Sequence, residues 1–303
     1  MPVKALVKLA RPDHWAKNVV VLMPVLFGQQ MNRPLAWFEA LLATVVFCLA
    51  SSSAYIINDL RDRKKDQMHP LKKSRPLAAG EIRPSAAAAE AAILVLLSLL
   101  LATALSPAFL LMILIFLALQ TSYTLALKNL VLIDVISIAL GFVLRAAAGA
   151  VAIKVYVSPW LFICMFTICL FMGFCKRYNE LIMLRGFDSA ENHRPRLIEY
   201  TPELLTHLIT VAAGIAVMAF LFYGLSDTTV KQFGTNYLIY TLPITVYAIF
   251  RFALVSMKGC YQDPTDLIWH DRPFQAAVAL WTIMVLVIVL YGRQFDGWLQ
   301  SMY

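Results

Sequence analysis

Leu35–Ile57, LAWFEALLATVVFCLASSSAYII, carries one charged residue, Glu39, and runs straight into Asn58-Asp59-Leu60-Arg61-Asp62-Arg63-Lys64-Lys65-Asp66. A helix needs roughly 20 apolar residues to cross the hydrocarbon core of a bilayer. The first part is long enough to cross. The second part is too charged to lie in lipid. Ile57 therefore marks a membrane surface, and a dense cluster of ionisable groups begins immediately beyond it.

The rest of the chain repeats the first part of this pattern. Ala86–Leu105, Pro107–Leu127, Leu130–Ile153, Ser158–Cys175, Leu204–Leu225, Tyr237–Met257 and Phe274–Tyr291 are further apolar segments separated by polar connections. Val19–Gln30 is shorter, with Trp15 and Lys17 placed to anchor it at the interface. It reads as a retained first helix rather than a signal peptide, because Pro24 interrupts it and no small-residue cleavage site follows. Overall 60% of the 303 residues are hydrophobic and 15% charged, against about 25% charged in soluble domains. The expected fold is all-α: a single polytopic membrane domain over residues 1–303, with nine transmembrane helices in one bundle.

The net charge of +8 is a topology signal rather than a nucleic-acid face. With nine crossings, 21 of the 26 Lys and Arg residues fall toward the side of the N-terminus, counting Arg251 in the half of Tyr237–Met257 nearer that side, and four on the other, with Arg145 deep inside a helix. Positive residues stay in the cytoplasm. The expectation is an N-terminus in the cytoplasm, a C-terminus outside, and motif segments 55–85 and 175–202 on the cytoplasmic side of a bacterial inner membrane.

Asn58, Asp62 and Asp66 are spaced i, i+4, i+8. If the helix continues past Ile57, each step rotates only about 40°, giving one oxygen-rich stripe that Tyr55 joins. Asp59 is expected to point elsewhere. Hard cations such as Mg²⁺ take carboxylate and amide oxygens together with substrate phosphates. Asn58, Asp62 and Asp66 are thus candidate metal ligands and catalytic residues. Eight Lys and Arg residues lie between Asn58 and Ser85, and a cationic surplus around a metal suits a diphosphate substrate. Lys72 and Arg75, in His69-Pro-Leu-Lys-Lys-Ser-Arg-Pro-Leu-Ala-Ala-Gly80, are candidate phosphate contacts.

NDLRDRKKD followed by RPLAAG resembles the first aspartate-rich motif of the UbiA superfamily of intramembrane prenyltransferases. RPDHWAKN (Arg11–Asn18), GFVLRAAAG (Gly141–Gly149), CKRYNELIMLRG (Cys175–Gly186) and DPTDLIWHDRP (Asp263–Pro273) narrow this to one branch. That branch is the polyprenyl-phosphate phosphoribosyltransferases, of decaprenyl-phosphate type. The resemblance runs over essentially the whole chain. It implies Mg²⁺-dependent transfer of phosphoribosyl from 5-phosphoribosyl 1-diphosphate to a polyprenyl phosphate, for cell-wall or related glycan synthesis. Many superfamily members carry a second DxxxD motif after the sixth helix. Here the position reads Lys176-Arg177-Tyr178-Asn179-Glu180, which puts prenyl-diphosphate chemistry in doubt and suits a second anionic group.

Lys176, Arg177, Tyr178 and Glu180 are therefore candidate substrate contacts, with positive residues at a helix end as the alternative. Arg145 is costly in lipid and faces a polar cavity by expectation. It is a further candidate phosphate contact, with Lys17 and Lys128 at the rim; the alternative is pairing with another helix. Asp134 is eleven residues away, about 16 Å along the helix, too far to pair with it. The five cysteines form no CxxC pair and read as buried small side chains. The five histidines have no metal-ligand spacing. An aromatic prenyltransferase and a transporter remain alternative classes, and the apolar faces are compatible with a homo-oligomer.

Overall fold

The computed structural model describes residues 3–68, 72–185, 199–259, 267 and 270–300. His69, His193, Arg194, Arg196, Cys260 and Asp263 lie outside them. Its regular elements are helical; no strand occurs among the described residues. The elements are α1 (Val3–Leu9), a 3₁₀ segment (Pro12–Leu22), α2 (Met23–Phe27), α3 (Pro34–Met68), α4 (Pro84–Thr103), α5 (Pro107–Leu125) and α6 (Ile133–Ala152). They continue with α7 (Pro159–Arg185), α8 (Pro202–Leu225), α9 (Asp227–Phe233), α10 (Leu242–Met257) and α11 (Arg272–Gln300).

Five of the long helices, α3, α4, α5, α7 and α8, begin on proline. Its fixed φ suits the first turn, where its missing N–H costs nothing. Ser106 and Thr201 cap α5 and α8 by accepting from the amides of Phe109 and Leu204. All eight apolar segments are helical. Among the described residues eight helices are long and apolar enough to cross a membrane. The expected ninth crossing corresponds to an irregular stretch. Val19–Leu22 ends the 3₁₀ segment, α2 spans five residues, and Gln29 at φ 52° turns the chain away.

The chain divides into two compact units. The first comprises Met1–Lys128 and Leu144–Tyr156. Lipid offers no hydrophobic drive for one helix to pack on another, so small residues that allow close approach dominate such contacts. α3 accordingly buries Ala36, Ala40, Ala43 and Ala50, with Phe47 in the same stripe. The Phe47 ring meets Phe116 and Phe109 of α5 edge-on, with centroids 5.0 and 6.2 Å away. Gly149 of α6 lies so close to the Val21 carbonyl that a Cβ there would collide with backbone.

The second unit comprises Asn129–Val143 and Val157–Tyr303. α7 packs along α8. Its core joins Phe171, Phe174 and Cys175 to Leu205, Ile209, Ala212 and Ala216, with Phe252 of α10 against them. On the outer surfaces Leu96, Leu100, Leu111, Ile283 and Val287 are exposed, a pattern suited to lipid contact rather than water. Cys48, Cys164 and Cys175 are buried, as expected, and Cys169 is half-buried.

Candidate functional site

α3 does not stop at the end of its apolar run. It continues as one helix to Met68, so the motif is helical and the stripe forms. On the helix wheel Asn58, Asp62, Asp66 and Asp59 fall at about 0°, 40°, 80° and 100°. Asp59 therefore belongs to the same arc, only about 20° from Asp66, and the expectation that it points elsewhere is corrected.

The arc has two halves. Lys128, just beyond α5, places Nζ 2.9 Å from Asn58 Oδ1 and 2.5 Å from Asp62 Oδ2. Arg75 Nη1 donates to Asp66 Oδ2 at 2.6 Å and to Asp59 Oδ1 at 3.0 Å. Arg11 Nη2 grips both oxygens of Asp59, at 2.6 and 2.8 Å. Three carboxylates thus meet three cations. Asp59 and Asp66 are buried, whereas Asp62 keeps a partly open face.

Local sequence explains how the cations arrive. Residues 75–79 form one helical turn, with the Ala79 amide on the Arg75 carbonyl at 2.8 Å. Gly80 ends it at φ 78°, a conformation glycine reaches without cost. Leu77 and Ile82 are buried among Ala5, Leu9 and Ile56 and tie this turn to α3. RPLAAG is thus a turn that hangs Arg75 over the carboxylates. Arg11 is held at φ 52°, ψ 63°, left-handed backbone that costs a non-glycine residue about 1 kcal/mol or more.

Trp15 donates to Ser52 Oγ at 3.0 Å, and Ser52 donates to the Ala10 carbonyl at 2.7 Å. These bonds fix the segment carrying Arg11. Tyr55 stands beneath it, with the Arg11 guanidinium 5.2 Å from its ring centre and His14 edge-on at 5.1 Å. Burial, then Lys17, holds the His14 imidazole below its ordinary range, with Arg11 and Arg75 adding to the effect. Lys17 is exposed, and Lys72 is half-buried in a 3₁₀ turn, Lys72–Ser74, before Arg75.

Arg145 lies deeper in the same unit. It is 5% exposed, and its Nε donates to Asn18 Oδ1 at 2.8 Å. Its Nη2 lies 3.4 Å from Ser51 Oγ and its guanidinium 4.8 Å from the Phe116 ring centre. Asn18, fully buried, also donates to Cys48 Sγ at 3.3 Å. Arg145 is thus embedded in a polar network within the apolar core of this unit.

In the second unit, Lys176–Glu180 is not a loop. α7 carries it to Arg185. Arg177 donates to Asp134 Oδ2 at 2.8 Å and to Glu180 Oε2 at 2.5 Å. Asp134 also accepts from the Val135 amide at 2.8 Å. The Tyr200 hydroxyl lies 3.5 Å from Asp134 and accepts from the Leu132 amide at 2.8 Å. Arg177 and Glu180, expected on a substrate, are engaged in this buried network. Tyr178 packs on the apolar core and Lys176 is half-exposed.

The donor set of α3 suits a magnesium ion. Hard oxygens from one amide and the carboxylates lie on one arc, and Mg²⁺ is commonly held by one or two carboxylates plus substrate phosphates. No group of three His, Cys, Asp or Glu side chains converges as a complete cage among the described residues. Arg11, Arg75 and Lys128 supply the positive charge that phosphate oxygens would meet.

Known proteins resemble the chain in sequence and in fold. Decaprenyl-phosphate phosphoribosyltransferase of Mycobacterium tuberculosis is 33% identical over 295 residues, 96% of each chain. The Corynebacterium glutamicum protein of the same name is 32% identical over 96% of this chain and 88% of its own. A UbiA homolog from Archaeoglobus fulgidus, solved bound to GPP and Mg²⁺, superposes with a TM-score of 0.71 at 20% identity. It covers 94% of this chain and 99% of that one. The model of the UbiA prenyltransferase family matches residues 21–259, a span that holds the carboxylates of α3, Lys128 and Arg145, and the chain belongs to that family.

Proposed function

We propose that this membrane protein transfers 5-phosphoribosyl from 5-phosphoribosyl 1-diphosphate to a polyprenyl phosphate, using Mg²⁺. The observation that carries the reading is Asp62 and Asn58 held by Lys128 on the open half of the arc. The names of the relatives supply the substrate class.

A phosphate oxygen of the lipid attacks ribose C1. The bond from C1 to the diphosphate oxygen breaks, and diphosphate leaves with its electron pair. Mg²⁺, when bound, neutralises charge that grows on the diphosphate. Asn58 and Asp62 are the residues that would hold it, with Asp66 at the far edge of the arc. Lys128 turns from Asp62 to a phosphate oxygen, and Lys72, Arg75 and Lys17 line the approach as further cations. Lys176 and Tyr178, and Arg177 and Glu180 when released from their own pairing, remain proposed substrate contacts. Arg145 is proposed to meet a phosphate from within the first unit. No side chain is needed as a strong base, because a phosphate monoester is already largely ionised at pH 7.

The 21-to-4 division of basic residues supports nine crossings with this chemistry on the cytoplasmic side. Purified protein in detergent is incubated with Mg²⁺, polyprenyl phosphate and ribose-labelled 5-phosphoribosyl 1-diphosphate, with and without chelator. Label in the lipid phase that the chelator abolishes is the expected result. Labelled lipid formed instead from a prenyl diphosphate and an aromatic acceptor would replace this reading with prenyl transfer.

A further inference from the structure

Beside the carboxylate arc the first unit has an apolar groove of about 500 Å³, lined by Ile57, Leu60 and Arg61 of α3 and Thr121, Thr124 and Leu125 of α5. The groove and the arc are neighbouring faces of one helix. On the wheel Arg61 lies about 60° from Asn58, and Ile57 and Leu60 continue away from it. Asn58 is bonded to Lys128, three residues beyond the groove residue Leu125. Groove and arc are therefore joined along both elements.

The groove is chemically two-ended. Its body is apolar, and its mouth carries Arg61, whose Nη2 donates to the Leu125 carbonyl at 2.7 Å. That bond satisfies an open carbonyl at the end of α5 and fixes the guanidinium. A guanidinium has five N–H donors in a rigid fork, and Arg61 is exposed, so donors remain for an anion. The body has the volume of a small-ligand site, which suits one hydrocarbon chain rather than the paired chains of a phospholipid. The occupant indicated is a single-tailed lipid with an anionic head.

We propose that this groove between α3 and α5 seats the hydrocarbon tail of the polyprenyl phosphate, with Arg61 receiving its phosphate and delivering it to the Asn58–Asp62–Lys128 end of the arc. This rests on the reaction proposed above for its acceptor, but not on the identity of the donor. It makes Ile57, Leu60 and Thr121 determinants of acceptor binding, and Arg61 a positioning residue for the attacking phosphate.

The test pairs kinetics with turnover-independent labelling. Leu60→Trp and Thr121→Trp fill the groove from two helices. Each should raise KM for a long polyprenyl phosphate about tenfold, the loss of one good apolar contact. KM for the donor should hold within twofold, whereas KM for geranyl phosphate, whose short tail starts at the same mouth, should rise with that of the long acceptor. An unchanged KM for the long acceptor in both folded variants overturns the proposal. A polyprenyl phosphate bearing a diazirine on its first, phosphate-proximal isoprene units should label residues 57–61 and 121–125. Unlabelled polyprenyl phosphate should compete this label, and phosphatidylglycerol should not. Label elsewhere, or equal competition by phosphatidylglycerol, assigns the groove to bulk lipid and overturns the proposal even if turnover stands. Specific groove labelling without ribosyl transfer upholds the groove and rejects the reaction.

Discussion

Lys128 Nζ stands 2.5 Å from Asp62 Oδ2 although 66 residues separate them. The contact joins the start of the connection after α5 to the open half of the carboxylate arc. An ammonium on a flexible stem can leave a carboxylate for a phosphate without moving the helix. Asp62→Asn should therefore lower turnover by about a hundredfold or more, as losses of a metal-holding charge do, with the melting temperature nearly kept. Lys128→Met should raise KM for the donor, and combined with Asp62→Asn it should add little. Single- and double-variant kinetics with parallel thermal melts measure both effects.

Asp59 behaves differently. It is 3% exposed and carries both Arg11 and Arg75. Removing Arg75 leaves Asp66 and Asp59 each short of a cation. Arg75→Met should cost about 2 kcal/mol, between the values for exposed and fully buried pairs, because Arg75 itself is partly open. Asp59→Asn should lower the melting temperature more than Asp62→Asn does. The reverse order in detergent melts would reject Asp59 as the anchor of the arc.

Arg145 rests on Asn18, Ser51 and the Phe116 face. Arg145→Met removes the shorter of two bonds to the buried Asn18 Oδ1 and leaves the 3.4 Å bond from Ser51 Oγ, at a cost of about 1 kcal/mol. Arg145→Lys keeps the charge but lacks the planar fork. It should fold with a smaller loss of stability and still bind the phosphorylated lipid more weakly. Melting curves read beside acceptor KM separate the two effects.

Gly149 approaches the Val21 carbonyl too closely for any side chain. Gly149→Ala should destabilise by about 1–3 kcal/mol, as overpacking does, despite alanine's better helix propensity. A melting temperature equal to or above that of the parent would refute this close approach.

Asp271 accepts from Arg251 at 3.0 and 2.7 Å and from the Phe274 amide at 2.8 Å. The Arg251 hydrogen bond holds its carboxyl below the ordinary value of 3.8, against the effect of burial. A carboxyl depressed in the folded state contributes stability that is present above its unfolded value. That stability is lost as pH falls through the folded value. The parent should therefore lose stability below about pH 4, and Arg251→Met should flatten that limb. Melts between pH 3 and pH 6 give the comparison.

Each long apolar run announced its own helix, because bilayer thickness imposes a length that composition must meet. The short segment at Val19–Gln30 did not reveal its geometry, since 3₁₀ and α turns share a composition. Asn58, Asp62 and Asp66 were legible by spacing alone. Asp59 was legible too, seven residues before Asp66 and two full turns away, but counting only in fours hid it. Arg11 required the fold, because nothing in RPDHWAKN announces a left-handed arginine folded back on α3. The Asp134–Arg177 pair lies beyond sequence periodicity altogether, being a contact between residues 43 positions apart.

α3 has 35 residues and no break, so it is about 52 Å long, far more than the roughly 30 Å of hydrocarbon it crosses. Asn58 stands about 36 Å along it from Pro34. The helix thus works as a gauge post. It sets the height of the carboxylates above the lipid tails by counting residues from its far end, at Pro34, rather than by anchoring at the near surface. Thickening the bilayer submerges the arc, and thinning it strands the arc above the head groups. An enzyme built this way carries a preferred membrane thickness in the length of one helix.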